Sequence, residues 1–248
     1  IGAGSVKKII ASWVGNVAAG LGHNYRRAAE SGIPHPIEIE EHSNFTIGLS
    51  LQAGAMGVPF LPTRTIQGSD FAESEQFSRM HCPFTGEQLI AVRAIRPDLT
   101  ILHVQRADPD GNAMLGNFGV IREAALAARK VIVTCEEVVD HAVILSDPNR
   151  TVVPGFVVSS VVAQPLGAYP SPTQGYSRRD DEFYFDYHRA TRTREGFERW
   201  LREWVLDLAD HGTFLDRLGK QRIETLRPKT NALAAPAMAD EGMWLFND

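Results

Sequence analysis

The chain has 248 residues, 44% of them hydrophobic and 22% charged, with a formal net charge of −5. Such values suit a soluble globular protein with room for one large domain or two small ones. The acidic balance gives no electrostatic reason to expect nucleic acid or an anionic membrane as partner, and no apolar run approaches the ~20 residues needed to span a bilayer.

The opening, IGAGSVKK, lacks the basic end and apolar core of a signal peptide. It starts at Ile1 rather than methionine, so something is expected to precede it. Residues 5–14 (SVKKIIASWV) read as a strand that turns at Gly15-Asn16, and residues 22–32 as a short helix ended by Gly32 and Pro34. Next comes the stretch around which the chain is organised, EIEEHSNFTIGLSLQAGAMGVPFLPT at 38–63. Its periodicity is ambiguous, since Phe45, Ile47, Leu49 and Leu51 alternate while Ile47, Leu51, Ala55 and Val58 form a helical stripe. A helix is preferred, because Ser43 or Asn44 can cap it and Pro59 stops it. Ala53, Gly54, Ala55 and Gly57 are tolerable there only if a backbone or a ligand approaches closely.

Residues 64–87 read as a long polar loop with Gln67-Gly68-Ser69 at its head, and a loop of that length in a compact domain is usually functional or mobile. Residues 88–94 and 99–104 read as strands, followed by a turn at Asp108-Pro109-Asp110-Gly111 and a short return at 112–115. Residues 121–130 predict a helix, 131–139 a strand and 152–164 another strand. Residues 169–179 are loop, 193–209 an amphipathic helix, and Phe214, Leu218 and Ile223 mark a second short one. The tail from Pro228 is loose, though Trp244-Leu245-Phe246 is suited to docking on a partner. The division expected is a domain over 1–226 and a tail over 227–248. Alternating strands and helices predict an α/β fold with an open, largely parallel sheet flanked by helices. There is no internal repeat.

Several chemistries are missing. There is no GxxxxGK[ST], no GxGxxG between a strand and a helix, no HExxH and no GxSxG elbow. No metal is expected. Cys82 and Cys135 do not make a secreted-type disulfide framework, and Cys135 inside VIVTCEEVV reads as a buried inert thiol; cytoplasmic location follows as the expectation. His103 in an apolar strand reads as a satisfied core histidine. Glu136-Glu137 and Glu40-Glu41 each end a strand, where open α/β sheets line their crevices, although a solvated or ion-paired strand end is the commoner fate of such pairs. Asx-turn chemistry accounts for Asp108, Asp110 and Asn112, and Asn44 has an ordinary role open to it as a helix cap. From the residues alone the reading ends at an α/β domain with a polar crevice near 40–70.

Taken together and in order, several segments resemble the alpha subunit of the family I CoA-transferases, closest to the glutaconate branch. They are SWVGN at 12–16, SNFTIGLSLQAGAMGVP at 43–59, PFLPTRTIQGS at 59–69 and HVQRADPDGNA at 103–113, with its AD-x-x-GN turn. VIVTCEEVV at 131–139, DPNRTVVPGFVVSSVV at 147–162 and FERWLREWVLDLADHGTFLDRLG at 197–219 complete the set. The likeness runs from about Val6 to Leu226 and implies a CoA-transferase/NagB-RpiA-like fold, here without the family's N-terminal strand-helix unit.

It also implies an enzyme that moves CoA between a thioester and a free, dicarboxylic acid. Acyl-CoA would be a substrate, with no permanently bound cofactor. The nucleophilic glutamate belongs to the family's other chain, the beta subunit, so a partner in a heterodimer or higher heterooligomer is implied. Asn44 stands where the family usually has glutamine, one methylene shorter, and becomes the candidate oxyanion donor. Gly15, Asn16, Glu41, Phe45, Gln67, Gly68 and Ser69 become candidate walls of the substrate pocket. Arg64, Arg106, Arg178 and Arg179 are each able to bind a second carboxylate. The alternatives are one chain of a ring-opening CoA-thioester hydrolase and a non-catalytic domain of this fold that senses acyl-CoA or sugar phosphate.

Overall fold

The computed structural model describes residues 1–16, 18–115 and 119–228. The expected docking segment Trp244-Leu245-Phe246 lies outside the described residues. Two compact units are present: one comprises Ile1–Ile39, Cys135–Glu137 and Ala163–Asp248, the other Glu40–Thr134 and Val138–Val162.

The first unit begins with strand β1 (Lys8–Ala11) and the two-residue hairpin strands β2 (Gly15–Asn16) and β3 (Gly20–Leu21). The expected strand over 5–14 is therefore only four residues long, and Gly15-Asn16 is a strand rather than a turn. Helix α1 (His23–Ser31) ends at Gly32, whose left-handed backbone lets its N–H return to Ala28 and Arg27 carbonyls. Strand β4 (Glu38–Glu41) carries the chain out of this unit.

In the second unit, helix α2 (Asn44–Ala55) has the predicted identity. Its small residues have a packing cause: a Cβ at Gly54 would run into the Ile95 carbonyl oxygen and come within 2.9 Å of the Ala127 methyl. Strand β5 (Phe60–Thr63) follows. The segment expected as a loop over 64–87 contains a 3₁₀ turn (Asp70–Glu73) and strand β6 (Phe77–His81). Strand β6 pairs antiparallel with β7 (Gln88–Arg93), and β7 pairs on its other side with β5. Tertiary pairing makes β6 a strand, since it buries Phe77 against Ile90, Val92 and Ala72.

The second sheet has the order β11-β9-β8-β10-β12, with β8 at Thr100–Ala107, β9 at Ala113–Met114, β10 at Val131–Val138, β11 at Thr151–Val153 and β12 at Ser160–Ala163. Backbone bonds from Thr100 to Lys130 and from Val139 to Ala107, then from Ser159 to Val131 and from Gln164 to Cys135, advance together along both chains. Hence β8, β10 and β12 run parallel. The edge strands β9 and β11 are antiparallel. The open α/β architecture is as expected, with parallel pairing in that central trio. Helices α3 (Ile121–Ala127) and α4 (His141–Leu145) connect these strands. The single strand expected over 152–164 is split by a 3₁₀ turn at Gly155–Val157.

Back in the first unit, α5 (Asp181–Ala190) falls where the sequence pattern assigned no element. The expected helix over 193–209 is α6 (Arg194–Leu201) followed by a π-helical turn over Arg202–Leu206, and α7 (His211–Leu218) and α8 (Lys220–Thr225) replace one second helix. Gly219, at a φ of +86°, separates them. None of the described helices is long and apolar enough to cross a membrane.

Candidate functional site

The start of α2 is fixed from beneath by a chain of buried polar groups. Ser43 caps the helix: its Oγ accepts from the Thr46 N–H at 3.0 Å, and its own N–H donates to Thr46 Oγ1 at 2.9 Å. This reciprocal pair satisfies two donors that a helix terminus otherwise leaves open. Thr46 also meets Nδ1 of His42 at 3.2 Å. The other ring nitrogen, Nε2, lies 3.3 Å from Glu40 Oε1, and Arg93 Nη2 donates to Glu40 Oε2 at 3.0 Å. Glu40, His42 and Thr46 are all buried, and Phe77 packs edge-on against the His42 ring. A buried carboxylate needs such partners to remain tolerable.

Because Ser43 takes the cap, Asn44 is the first helical residue rather than the capping one, and it stands exposed beside Phe45, which is 54% exposed. Glu41 is exposed too, its carbonyl accepting from Gln76 Nε2 at 2.6 Å. In the loop after β5, Gln67 donates its amide to the Gln88 carbonyl, Ser69 Oγ donates to the Ile66 carbonyl, and Gly68 has a φ of +78°. Gln67 and Ser69 thus hold their own loop. Gly15 and Asn16 sit in the other unit, where Asn16 is buried, donates to the Tyr184 carbonyl at 2.8 Å and accepts from the Ala18 N–H. With Tyr25, Tyr187 and Phe197 they line a cavity of about 360 Å³ there.

The AD-x-x-GN turn is a second fixed point of the β-rich unit. Asp108 is fully buried at the end of β8 and accepts from the Asn112 N–H, from Asn112 Nδ2 at 2.9 Å, and from His141 Nδ1 at 2.6 Å. Burial pushes the Asp108 carboxyl up, but the bonds from Asn112 and His141 outweigh it and hold it below the ordinary carboxylate range. The same contact raises His141. Asn112 Oδ1 in turn accepts from the Gly155 N–H at 2.9 Å. Gly111 has a φ of +92°, and a Cβ there would come within 2.6 Å of Val158. At Gly155 a Cβ would strike the Asp110 carbonyl oxygen. The Asx turn expected at this motif is present, and through Asn112 it also fixes the loop that carries Phe156, which is 87% exposed. Asp108, Asp110 and His141 bring ligand-type atoms within 4.8 Å of one another, but the hydrogen bonds to Asp108 account for its burial without an ion.

Between that loop and α3 lies a cavity of about 750 Å³, walled chiefly by Leu115, Ile121, Leu126, Val152 and Phe156, with Arg122 among them. The sequence pattern singled out none of these as site residues. An arginine on a short amphipathic helix carries no local signal that separates a ligand-binding role from solvation. Two arginines that were named have protein partners: Arg64 pairs with Glu87 and Arg179 with Asp181.

Glu136 and Glu137 at the end of β10 differ from the solvated or ion-paired strand end expected of such pairs, since both accept hydrogen bonds from distant groups. Glu136 is buried and accepts from the Leu166 N–H, and Glu137 accepts from the Tyr176 hydroxyl. His103 contacts Thr134 Oγ1 at 2.9 Å, as befits a satisfied core histidine. Cys135 is buried and Cys82 is half-exposed, neither in a disulfide.

With this geometry in hand, comparison with known proteins is informative. The family model described as coenzyme A transferase matches residues 1–164. The chain is 42% identical over 223 residues to the alpha subunit of 3-oxoadipate CoA-transferase from Pseudomonas knackmussii, covering 89% of this chain and 78% of that one. It is 33% identical to the alpha subunit of glutaconate CoA-transferase from Acidaminococcus fermentans, covering 92% and 76%. The crystal structure of glutaconate coenzyme A-transferase from the same organism superposes with a TM-score of 0.86 at 32% identity, over 92% of this chain and 77% of that one. These likenesses do not favour the hydrolase or sensor alternatives. The chain belongs to the coenzyme A transferase family, as the alpha subunit of an acyl-CoA:carboxylate CoA-transferase.

Proposed function

We propose that this chain shapes the acyl side of the transfer site and supplies an oxyanion donor from Asn44, while a separate beta subunit carries the attacking glutamate. One observation supports the reading: Ser43 rather than Asn44 performs the capping, and Asn44 stands exposed in the first turn of α2. The buried Glu40-His42-Thr46 chain holds that terminus rigid, as a preorganised donor requires. Glu41, Phe45, Gln67, Gly68 and Ser69 belong to the acyl side in this reading, and Gly15 and Asn16 are substrate-facing walls of the cavity in their own unit.

The reaction is a double exchange. The partner's glutamate carboxylate attacks the acyl-CoA carbonyl, the C–S bond breaks, and CoA thiolate leaves an acyl-glutamyl anhydride. The thiolate then attacks the glutamyl carbonyl and expels the donor acid as its carboxylate. An acceptor carboxylate repeats the two steps in reverse order, which frees the glutamate and yields the new thioester. Each attack places negative charge on a carbonyl oxygen, and there the Asn44 amide N–H donates. Water must be excluded, because anhydride and thioester are both hydrolysable. In this scheme CoA enters only as substrate, and no step calls on a permanently bound cofactor. The two free cysteines are in keeping with a reducing, cytoplasmic setting.

The test reconstitutes the chain with its beta subunit, then follows an isotope-labelled acid into acyl-CoA. Transfer that needs both chains is expected. Full-rate transfer by this chain alone would overturn the division of labour, and release of CoA into water without transfer would overturn the reaction itself.

A further inference from the structure

Helices α1 and α5 of the first unit meet along a polar seam that the transfer chemistry leaves unexplained. Asn24 Nδ2 donates to the Tyr187 hydroxyl at 3.0 Å, and Arg27 Nη1 donates to the Arg192 carbonyl at 3.0 Å. One residue along each helix from the first of these bonds, Nε2 of His23 lies 3.2 Å from Nε2 of His188. Both rings are half-buried, and their centroids are 4.3 Å apart. The seam also walls the cavity of about 360 Å³: Asn24 and Tyr25 come from α1, Tyr184 and Tyr187 from α5, and Gly15 and Asn16 share the lining.

Two facing imidazole nitrogens are satisfied by a single proton, because one ring donates its N–H while the other offers a lone pair. A second proton sets two N–H groups and two positive charges against each other. The surroundings add to that repulsion. Burial, then His188 and the guanidinium groups of Arg27, Arg192 and Arg26, hold the His23 imidazole below its ordinary value of 6.5. The carboxylates of the helices packed here are engaged with other groups. On α1, Glu30 pairs with Arg26. On α5, Asp181 pairs with Arg179, Glu182 faces Arg222 and Asp186 pairs with Arg189. On α6, Glu198 pairs with Arg194 and Glu195 acts on Arg27. The other titratable groups on the seam are the phenols of Tyr25, Tyr184 and Tyr187.

From this seam we infer that His23 and His188 form a proton-operated latch: with at most one proton between them they tie α1 to α5, and a second proton drives the helices apart and loosens the cavity that holds Gly15 and Asn16. A ring held low in the closed seam binds its proton more readily once released, so acid favours the open state. The latch is therefore fully closed above pH 6.5 and is lost as pH falls from there through the lowered value. It operates whichever reaction the assembled enzyme performs.

The experiment measures amide hydrogen-exchange protection in the purified chain at about pH 8 and about pH 5.5, either side of the ordinary imidazole range, with the α7 amides of the same unit as internal reference. Wild type is expected to lose protection in α1 and α5 by on the order of tenfold relative to α7. In His188→Gln, whose amide can serve His23 in either protonation state, the fall should shrink to within about twofold, and His23→Gln should behave alike. Either variant can weaken the seam by itself, so the two wild-type rings are also titrated by nitrogen-detected NMR. Coupled uptake, in which the first proton delays the second, is expected. Independent titration of the two rings, or a loss of α1 and α5 protection that both variants retain in full, would overturn the latch. Wild-type protection that does not change with pH would overturn it as well.

Discussion

The β-rich unit packs Ile90, Val92, Val104, Val131, Val133 and Val153, all fully buried and none with a polar atom in its side chain, whereas the other unit packs Tyr169, Phe183, Tyr187, Trp200, Trp204 and Phe214 edge to face. β-Branched aliphatics make no demand for hydrogen bonds and stiffen the pleated backbone. Polar residues at the ends of those strands and at the helix start are then available to fix turns and helix termini, as Glu40, His42 and Asp108 do.

An aromatic core that includes tyrosines has polar tips to satisfy inside the fold. The Tyr169 hydroxyl donates to Asp180 at 2.8 Å, Asn24 donates to the Tyr187 hydroxyl at 3.0 Å, and Arg222 forks onto both oxygens of Asp180. Burial, with Asp180 alongside, pushes the Tyr169 hydroxyl well above its ordinary value, so it stays protonated as a donor. In the aromatic unit the polar groups satisfy one another across the core, whereas in the β-rich unit they fix a helix start and a turn.

The contrast breaks most sharply at Asp180. Asp180→Ala leaves the Arg222 guanidinium, the Tyr169 hydroxyl and the Phe183 N–H without their shared acceptor, and should cost about 3–5 kcal/mol in urea unfolding. A cost under about 1 kcal/mol would mean that the aromatic unit does not depend on its polar network. Next comes Asn44→Ala in the assembled enzyme, with an expected fall of about 10²-fold or more in turnover. Its unfolding free energy should stay within about 0.5 kcal/mol of wild type; a purely structural Asn44 gives the reverse pattern.

Ser43→Ala removes the α2 cap and should cost about 1 kcal/mol, visible in denaturant midpoints, together with a milder loss of turnover because Asn44 is then less well held.

The smallest effect is the pH dependence of the Asp108-His141 contact. His141 is raised, so its contribution is complete below the ordinary imidazole value of 6.5 and fades as pH climbs through the raised one. Asp108 is depressed, so its contribution is complete above 3.8 and fades as pH falls through the lowered value. The melting-temperature gap between wild type and His141→Ala should therefore be widest between about pH 4 and 6.5 and narrow toward pH 9. A gap that is flat across this range would show that the contact adds nothing through charge.

Much was legible in the residues. Gly32 closes α1 where its freedom at positive φ predicts, and Ser43 with Pro59 brackets α2, because caps and breakers act within a turn or two of where they stand. The α/β architecture follows from the succession of strand and helix signals. Less local features were not readable. Strand β6 depends on pairing with β7, and the break in the strand expected over 152–164 depends on Asn112 capturing the Gly155 N–H from 43 positions away. The residues offered Ser43 or Asn44 as the α2 cap, and the folded chain gives that role to Ser43.

The order of residues was thus enough for most element types, the family likeness and the glycine that closes α1 at Gly32, because each arises from backbone sterics, short-range hydrogen bonding or a motif read in order. It took the folded chain to place His42 and Glu40 beneath the α2 start, to bring Asp108 to His141, and to stand Arg122 in a cavity wall near Val120 and Gly48. Those facts depend on which distant segments pack together, and side-chain identity along a line does not encode that distance.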